Sequence, residues 1–400
     1  MGVVVSNSLP PTESEDLDVV WPGYFGVTPP PGPPPARGER LWIDRPEQLL
    51  HAVDILRQAS IVAIDAEFTQ VRSHTHTSTS SNRLALLQLA IDHQCFVVDA
   101  WRLADLSPLL TVTEDPHTSI LLYGAGADLQ VMTERGLTVA HYIDLEAANR
   151  SIFGQHESSL AAMLQRAFNI RLDKSLQRTD WTRRPLPTAM VSYAARDAEM
   201  TLALYYWLDQ HYAWALRLHE HQGQQEQVAA WIEPFLRGTS PIPAEMAVKE
   251  AIEQGLLQKE QVYADCRAAL ATLVYPMQQS RLLRLIADLS LVQMAEEIEP
   301  LLHVQASDER AAAVRTLARL MVEQGTALIR PLLQDPVYDV RKAAQTALRN
   351  LSVNAPPQQR AVPTRLADGS RSWTVGETGG TTSDDDKSEW KARLRAMMDK

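Results

Sequence analysis

Three separated segments of the sequence carry carboxylates whose types and spacing suit metal-ion chemistry. Asp65 and Glu67 follow the apolar run Ile61–Ile64, which is typical of a buried strand, and alternation along a strand points both side chains to one side. Two acids at the end of a strand repel each other, and divalent cations remove that penalty. Mg²⁺ and Mn²⁺ prefer such oxygen-rich ligands, so the pair is a candidate cation site.

Two further motifs supply carboxylates. Asp128 opens a predicted helix after the strand Ser119–Tyr123, across the turn Gly124–Ala127, whose glycines permit a sharp bend. An acid at this position would, by itself, be a helix cap or a dipole partner. Tyr193 and Asp197 lie four residues apart on another predicted helix, which places them on one face. An Asp-x-Glu strand, an Asp-opened helix and a Tyr-x-x-x-Asp helix, in this order, form a specific constellation.

The elements that must position these side chains alternate between strands and helices, which predicts an α/β layered domain. Helical segments are predicted at Pro46–Gln58, at Asp128–Arg135 and from about Thr188. Five strands are predicted, with a tight turn at Asp92-His93: Ile61–Asp65, Leu84–Ala90, Gln94–Asp99, Ser119–Tyr123 and His141–Ile143.

The constellation resembles the DEDD exonuclease superfamily, and a tyrosine four residues before the last Asp is the mark of its tyrosine subclass. Leu172–Ser175, followed by Arg178–Trp181 and Arg184–Leu186, resembles the signature of the ribonuclease D group, and Leu84–Leu89 resembles that group's second core strand. The resemblance covers roughly residues 42 to 207. It implies a ribonuclease H-like exonuclease domain with a mixed five-stranded sheet.

The resemblance also implies a division of roles in the site. Asp65, Glu67 and Asp197 would hold one divalent cation, Mg²⁺ or Mn²⁺, and Asp65 would bridge to a second cation supported by Asp128. Tyr193 would orient the attacking water, because a tyrosine with a pKa near ~10 is a poor base at neutral pH. The implied activity is 3′-5′ exonuclease cleavage that releases nucleoside 5′-monophosphates.

The implied substrate is the 3′ end of a nucleic acid, RNA more than DNA, with the terminal 3′-hydroxyl gripped by backbone near Phe68 and Thr69. A DNA exonuclease with a repair role is an alternative, because the sequence does not show how the site treats the 2′-hydroxyl. A catalytically weak scaffold that binds protein partners is another, although no catalytic acid is missing.

Four cations in the ribonuclease D-like signature have two interpretations. They could contact phosphates, or some of them could anchor the loop through ion pairs with Asp173 or Asp180. These residues are Lys174, Arg178, Arg183 and Arg184.

The chain divides into four predicted regions: a proline-rich unpacked tail (1–40), the exonuclease domain (41–219), a helical region (220–352) and a disordered tail (353–400). Within the helical region, Ile298–Leu302 recurs as Ile329–Leu333, which resembles HEAT-type repeats and indicates a possible protein partner. In the tails, only Trp21, Tyr24 and Phe25 are expected to dock, and Ser388–Met398 could form a short terminal helix.

Composition narrows the class of protein further. The net charge of −11 argues against a protein that coats nucleic acid by bulk electrostatics, but not against an enzyme that grips a few phosphates. No apolar run approaches the ~20 residues of a membrane span, so no membrane association is expected. Cys95 and Cys266 form no metal-type pair, and a reducing cytoplasm is the expected compartment.

Overall fold

This computed structural model describes residues 29–36, 38–71, 81–172, 179–220, 228–321, 324–354, 362–365 and 371–374. The chain forms two compact units, Met1–Leu348 and Arg349–Lys400. The first begins with an α/β domain whose elements are β1 (Glu39–Ile43), α1 (Pro46–Leu56), β2 (Ile61–Val71), β3 (Ser81–Ile91), β4 (Gln94–Val98), α2 (Leu110–Thr113), β5 (Ser119–Leu122), α3 (Gly126–Glu134), β6 (Tyr142–Asp144), α4 (Leu145–Phe153), α5 (Leu160–Phe168) and α6 (Thr188–His219).

The sheet has six strands in the order β1-β4-β3-β2-β5-β6. Only β3 is antiparallel to its neighbours, β2 and β4, and the other pairs are parallel. The carboxyl ends of the remaining five strands therefore meet at one edge of the sheet. One face packs against α4, α5 and α6, and the other packs against α1 and α3. The predicted mixed α/β sheet is confirmed.

The predicted number of five strands is wrong, because β1 was missed. It is an edge strand that pairs only with β4, and most of its residues are only half-buried. Its sequence, Glu-Arg-Leu-Trp-Ile, therefore lacks the apolar run that marks the central strands. Arg40 on β1 is tied to α6 by two hydrogen bonds to the Glu199 carboxylate, of 2.7 and 2.8 Å.

The two predicted tails contain more structure than their composition indicated. The α/β domain starts at Glu39, and the proline-rich segment before it contacts α5, where Gly32 N donates to the carbonyl oxygen of Ala167 at 2.8 Å. The prediction of an unpacked segment from 1 to 40 is therefore wrong for this part. In the second unit, β7 (Val362–Arg365) and β8 (Arg371–Thr374) pair antiparallel, which contradicts a wholly disordered tail. The predicted docking aromatics Trp21, Tyr24 and Phe25 and the terminal helix Ser388–Met398 lie outside the described residues.

The described part of the chain after residue 227 is helical up to α14. Its helices are α7 (Glu233–Arg237), α8 (Ala244–Glu253), α9 (Lys259–Thr272), α10 (Pro276–Asp288), α11 (Ala295–Ile298), α12 (Ser307–Leu320), α13 (Gly325–Ile329) and α14 (Tyr338–Asn354). The two sequence repeats form the same series of elements: a short α-helix, a five-residue 3-10 helix with a proline in its first turn, then a long helix. The HEAT-type assignment stays a prediction.

The helical region packs directly on the α/β domain through polar contacts. Ser307 Oγ on α12 donates to the carbonyl oxygen of Arg150 at 2.9 Å, and Ser151 Oγ donates to Asp308 Oδ2 at 3.2 Å. Ser151 Oγ also lies 3.0 Å from Nε2 of His219, the last residue of α6. His219 is only 1% exposed, so the predicted boundary at 219/220 falls within a shared buried surface.

No helix among the described residues is both long and apolar enough to cross a bilayer.

One fully buried ion pair joins the two repeats. The side chains of Arg310 on α12 and Asp335 before α14 are both inaccessible to solvent, with Nε 2.8 Å from Oδ2 and Nη2 3.0 Å from Oδ1. Arg310 also donates to the carbonyl oxygens of Val304 and Gln305, and Asp335 accepts from the backbone of Val337. Every charge in this pair is therefore hydrogen-bonded, which is the condition under which a buried pair is stable.

We predict that Arg310→Met lowers the free energy of unfolding by about 3–5 kcal/mol, because it leaves Asp335 buried without its counter-charge. The matched control is Arg319→Met on the same helix. Arg319 pairs with Asp288 at 2.6 Å, but the two side chains are 51% and 34% exposed, so the expected loss is at most ~1 kcal/mol. Denaturant unfolding followed by far-UV circular dichroism measures both. Equal losses in the two variants would contradict this account of the buried pair.

Candidate active site

Three carboxylates from two elements converge at the middle of β2, just beyond its pairing with β5. Asp65 and Glu67 lie on one face of β2, and Asp197 lies on α6, which packs on that face. One carboxylate oxygen from each of the three lies within 4.8 Å of the others. The small residues Ala194, Ala195 and Ala198 are buried against the sheet, and they let α6 approach β2 closely. The structure thus brings together three of the predicted acids.

Asp128 reaches the same cleft from α3. It is 8% exposed in the first turn of that helix and lies outside the group of three. Its charge nevertheless raises the pKa of both Asp65 and Glu67, so it faces them. That Asp128 shares a metal site with the other acids stays a prediction.

The four carboxyl groups all have raised pKa values, and burial is the largest cause in each. Burial raises the pKa of Asp65 well above its usual range, with Asp128, Asp197 and Glu67 adding repulsion. Burial, then repulsion from Asp197 and Asp128, raises the pKa of Glu67 to about 9. The pKa of Asp128 rises to about 7 and that of Asp197 to about 6. Full ionisation of all four acids at neutral pH is therefore unfavourable without a positive partner.

The donor set fits divalent cations. Oδ1 of Asp197 is buried and has no hydrogen-bond partner among the described residues, so a carboxylate oxygen is left for a ligand. No arginine or lysine of the described chain forms an ion pair with any of the four acids. Clustered carboxylates without protein counter-ions are the ligand chemistry of Mg²⁺ and Mn²⁺.

Asp144 holds the turn that leads to Asp128. Its carboxylate accepts from Gly124 N at 2.9 Å and Ala125 N at 3.2 Å, and it also caps the start of α4. Gly124 has φ +73°, and a side chain there would meet the Glu146 carboxylate at 2.8 Å. The turn therefore depends on Gly124 and on Asp144, twenty residues further along the chain. The sequence indicated the glycine but not the role of Asp144.

Gln88 supports Asp65 from the neighbouring strand. It stands directly opposite Asp65 in the β2–β3 register and is fully buried. With its amide turned to satisfy both groups, the side-chain nitrogen donates to Asp65 Oδ2 at 3.2 Å and to the Asp65 carbonyl oxygen at 2.6 Å. Sequence reasoning missed this role. The available signal was one amide inside the otherwise apolar strand Leu84–Ala90.

Tyr193 lies beside Asp197 and packs against the buried Trp181, with ring centroids 6.2 Å apart. Burial, followed by the negative charge of Asp197, raises the pKa of the Tyr193 hydroxyl above its ordinary value. The hydroxyl therefore stays protonated at neutral pH. It can orient a water molecule or a phosphate but cannot serve as a base.

The loop before α6 is anchored by Arg184. Its guanidinium forms a two-pronged ion pair with the buried Asp99 after β4, with Nε 2.7 Å from Oδ2, and donates to the carbonyl oxygens of Trp181 and Ala85. Of the two interpretations of this cation, the ion pair is correct, although the partner is neither of the acids expected from the sequence. Lys174 and Arg178 lie outside the described residues, and Arg183 is exposed.

Phe68 and Thr69 follow Glu67 on β2, where the β2–β3 register shifts in a β-bulge. Bulges re-aim side chains and are common next to active sites. The Phe68 ring packs into the core on the opposite face, so only its backbone can serve the cleft. Thr69 shares the face of Glu67, and its Oγ1 is buried without a hydrogen-bond partner in the described structure.

Known proteins share this domain. Residues 41–212 match the family model described as 3′-5′ exonuclease. Ribonuclease D of Haemophilus influenzae is 30% identical over 166 residues, which is 41% of this chain and 40% of that protein. The Exosome complex component 10 homolog of Drosophila melanogaster is 30% identical over 172 residues, 42% of this chain and 18% of that protein. The chain thus spans less than half the length of these curated relatives.

Carboxylates from β2, α3 and α6 face one another on a mixed sheet, inside the segment that matches the 3′-5′ exonuclease model. Residues 41–212 are thus similar to the 3′-5′ exonuclease family and, at 30% identity, to ribonuclease D. Among solved structures, Escherichia coli RNase D aligns with a TM-score of 0.41 at 20% identity, over 80% of this chain and 76% of that one.

We predict that Gln88→Leu weakens Mn²⁺ binding by about 10–100-fold, the usual cost of losing a group that orients a metal ligand. The matched control is Gln94→Leu on β4, because Gln94 reaches only Glu39 on β1. Isothermal titration of each variant with Mn²⁺ measures the affinity. Unchanged affinity in Gln88→Leu would mean that the amide only fills space in the core.

Proposed function

We propose that this chain is a 3′-5′ exonuclease that hydrolyses phosphodiester bonds of RNA from the 3′ end and releases nucleoside 5′-monophosphates. The observation that carries the proposal is the convergence of Asp65, Glu67 and Asp197 within 4.8 Å, inside the segment that matches the 3′-5′ exonuclease family. The names ribonuclease D and exosome component among the relatives favour RNA over DNA.

In this proposal Asp65, Glu67 and Asp197 would hold one Mg²⁺ or Mn²⁺, and Asp65 with Asp128 would hold a second. Two such cations, when bound, supply a hydroxide nucleophile and stabilise the charge on the leaving oxygen. The raised pKa values of the four acids support this assignment, because added positive charge converts their mutual repulsion into a favourable interaction.

The remaining side chains position the substrate and the water. Tyr193 keeps its proton and donates it as a hydrogen bond, which fixes a water beside Asp197. The backbone of Phe68 and Thr69, which follows Glu67 directly and lies opposite the β-bulge on β3, would grip the terminal 3′-hydroxyl. Gripping a terminus, and not the middle of a strand, would make the activity exonucleolytic.

The test is degradation of matched RNA and DNA oligonucleotides labelled at the 5′ end, with Mg²⁺, with Mn²⁺ and with EDTA. We expect stepwise shortening of the RNA from its 3′ end, no turnover in EDTA, and a loss of several orders of magnitude in Asp65→Ala. The control is Asp54→Ala on α1, since this exposed acid lies on the helix that covers the opposite face of the sheet.

Full turnover in Asp65→Ala would exclude the two-cation site. Faster degradation of DNA than of RNA would favour the DNA exonuclease. A folded protein with no turnover on either substrate would favour the scaffold.

We predict that Tyr193→Phe lowers kcat by about 10²–10⁴-fold, the range for a positioned catalytic group. The substitution keeps the ring that packs against Trp181 and removes only the hydroxyl. Mn²⁺ affinity should change little, because Tyr193 is not one of the carboxylate ligands. Single-turnover kinetics together with a Mn²⁺ titration separates the two effects. Wild-type kinetics in this variant would restrict Tyr193 to packing.

A further inference from the structure

A cationic and aromatic surface lies at the corner where β4 ends and β3 begins. The guanidinium carbon of Arg83 lies 4.1 Å from the ring centroid of Trp101, which is close cation–π stacking. Arg83 is exposed and Trp101 is half-buried. Together with the exposed Arg102 and Arg183, they form what we call the Trp101 corner.

Backbone hydrogen bonds hold the parts of this corner together. Trp101 N donates to the carbonyl oxygen of Ala85 at 3.1 Å, and Nη2 of Arg184 donates to the same oxygen at 3.2 Å. The backbone of Arg102 donates to Asp99, which is also the ion-pair partner of Arg184. Three segments that are distant in sequence are therefore joined to one another at this corner.

The corner adjoins the candidate active site. Arg83 stands directly opposite Thr69 in the β2–β3 register, and Thr69 is two residues beyond Glu67 on the same face of the strand. Trp101 follows the carboxyl end of β4, which runs parallel to β2, so both lie at the same edge of the sheet. A strand of nucleic acid with its 3′ end at Glu67 would meet the Trp101 corner next.

The cations of the corner are only partly balanced by acids, and Arg183 interacts electrostatically with Asp180. Arg83 and Arg183 have no carboxylate within 4.0 Å in the part of the chain that the structure describes. Arg102 is partly neutralised, at 3.4 Å from Asp44. Exposed arginines beside four clustered acids, in a chain of net charge −11, stand out as a local positive site.

The chemistry of the corner favours a single-stranded nucleic acid over a protein. Unstacked bases pack on aromatic rings and on guanidinium planes, and arginines bind the phosphates between them. An apolar or acidic protein surface would use the cations but would have no reason to approach the edge that carries the cleft.

We propose that the Trp101 corner binds the single-stranded segment just upstream of the 3′ terminus, with a base against the Arg83–Trp101 stack and its phosphates at Arg83 and Arg183. This inference rests on the proposed function, because it takes the cleft beside Glu67 as the place where the 3′ end lies.

The test measures binding and turnover of single-stranded RNA oligonucleotides and of a dinucleotide. We expect Trp101→Ala to weaken oligonucleotide binding in fluorescence anisotropy by about 10–100-fold, and Trp101→Phe to retain most of the affinity. Arg83→Gln should reduce the slope of log affinity against log salt by about 0.7, the value for one phosphate contact on a single strand. The matched control is Arg57→Gln at the end of α1, an exposed arginine just before the amino end of β2.

Steady-state kinetics separates a role of Trp101 and Arg83 in binding the oligonucleotide from a role in maintaining the fold. In Trp101→Ala and Arg83→Gln, KM for the oligonucleotide should rise while kcat and dinucleotide turnover stay at wild-type values, because a dinucleotide does not reach the corner. Unchanged oligonucleotide binding in both variants would overturn the proposal, and is the result expected if the corner instead binds a protein. Loss of dinucleotide turnover in both would also overturn it, by showing a structural role. The two hypotheses can also fail separately. If the variants bind RNA more weakly than the wild-type protein, but the wild-type protein cleaves no RNA, the Trp101 corner is supported and the proposed function is refuted.

Discussion

The mutual repulsion of four partly buried carboxylates is the constraint on which the rest of the α/β domain depends. Asp65, Glu67, Asp128 and Asp197 all have raised pKa values, because burial and neighbouring charge both oppose ionisation. A flexible chain would relieve this repulsion by moving the acids apart. Here Asp65 and Glu67 lie on a strand paired on both sides over part of its length, and Asp197 lies on a 32-residue helix packed across the sheet. The fold therefore holds a charge arrangement that becomes favourable only when cations balance it.

Neighbouring side chains make this arrangement rigid, because they hold the carboxylate, turn or loop at each acid through hydrogen bonds and packing. Gln88 holds the Asp65 carboxylate from β3, and Asp144 holds the turn that carries Asp128. Arg184 and Asp99 fix the loop whose Trp181 packs against Tyr193. Each of these supports is itself buried or partly buried and hydrogen-bonded. Distances between the acids are thus set by secondary structure and by side-chain contacts, and not by the acids themselves.

The sequence predicted the acids and the central elements because both depend on local spacing. An Asp-x-Glu pair after an apolar run and a Tyr-x-x-x-Asp pair on a helix can be recognised within a few residues, and they supply three of the four predicted acids. The fourth, Asp128, was predicted from its place at the start of a helix after a turn that contains glycine. The supports were not found because they pair over long separations: Gln88 with Asp65, Asp144 with Gly124, and Arg184 with Asp99 across 85 residues. The edge strand β1 was missed for a similar reason, since its stability comes from pairing with β4 and from the Arg40–Glu199 contact and not from an apolar run of its own.

A chain with a net charge of −11 and a cluster of buried acids repels the polyanion that it is proposed to cleave. Screening limits this repulsion to about 8–10 Å at physiological salt, so a few cations placed within that distance of the cleft can reverse it locally. The Trp101 corner, at the carboxyl edge of the sheet, is proposed to supply these cations. In the proposal, ionic attraction and stacking come from residues after β4, at the start of β3 and in the loop before α6, while the acids lie on the middle of β2, on α3 and on α6. The proposed binding residues and the acids are linked by the β2–β3 pairing but have no side chain in common. Substitutions can therefore change the affinity for a nucleic-acid strand and the chemistry at its 3′ end separately. That separation is consistent with an acidic protein acting on nucleic acid without coating it.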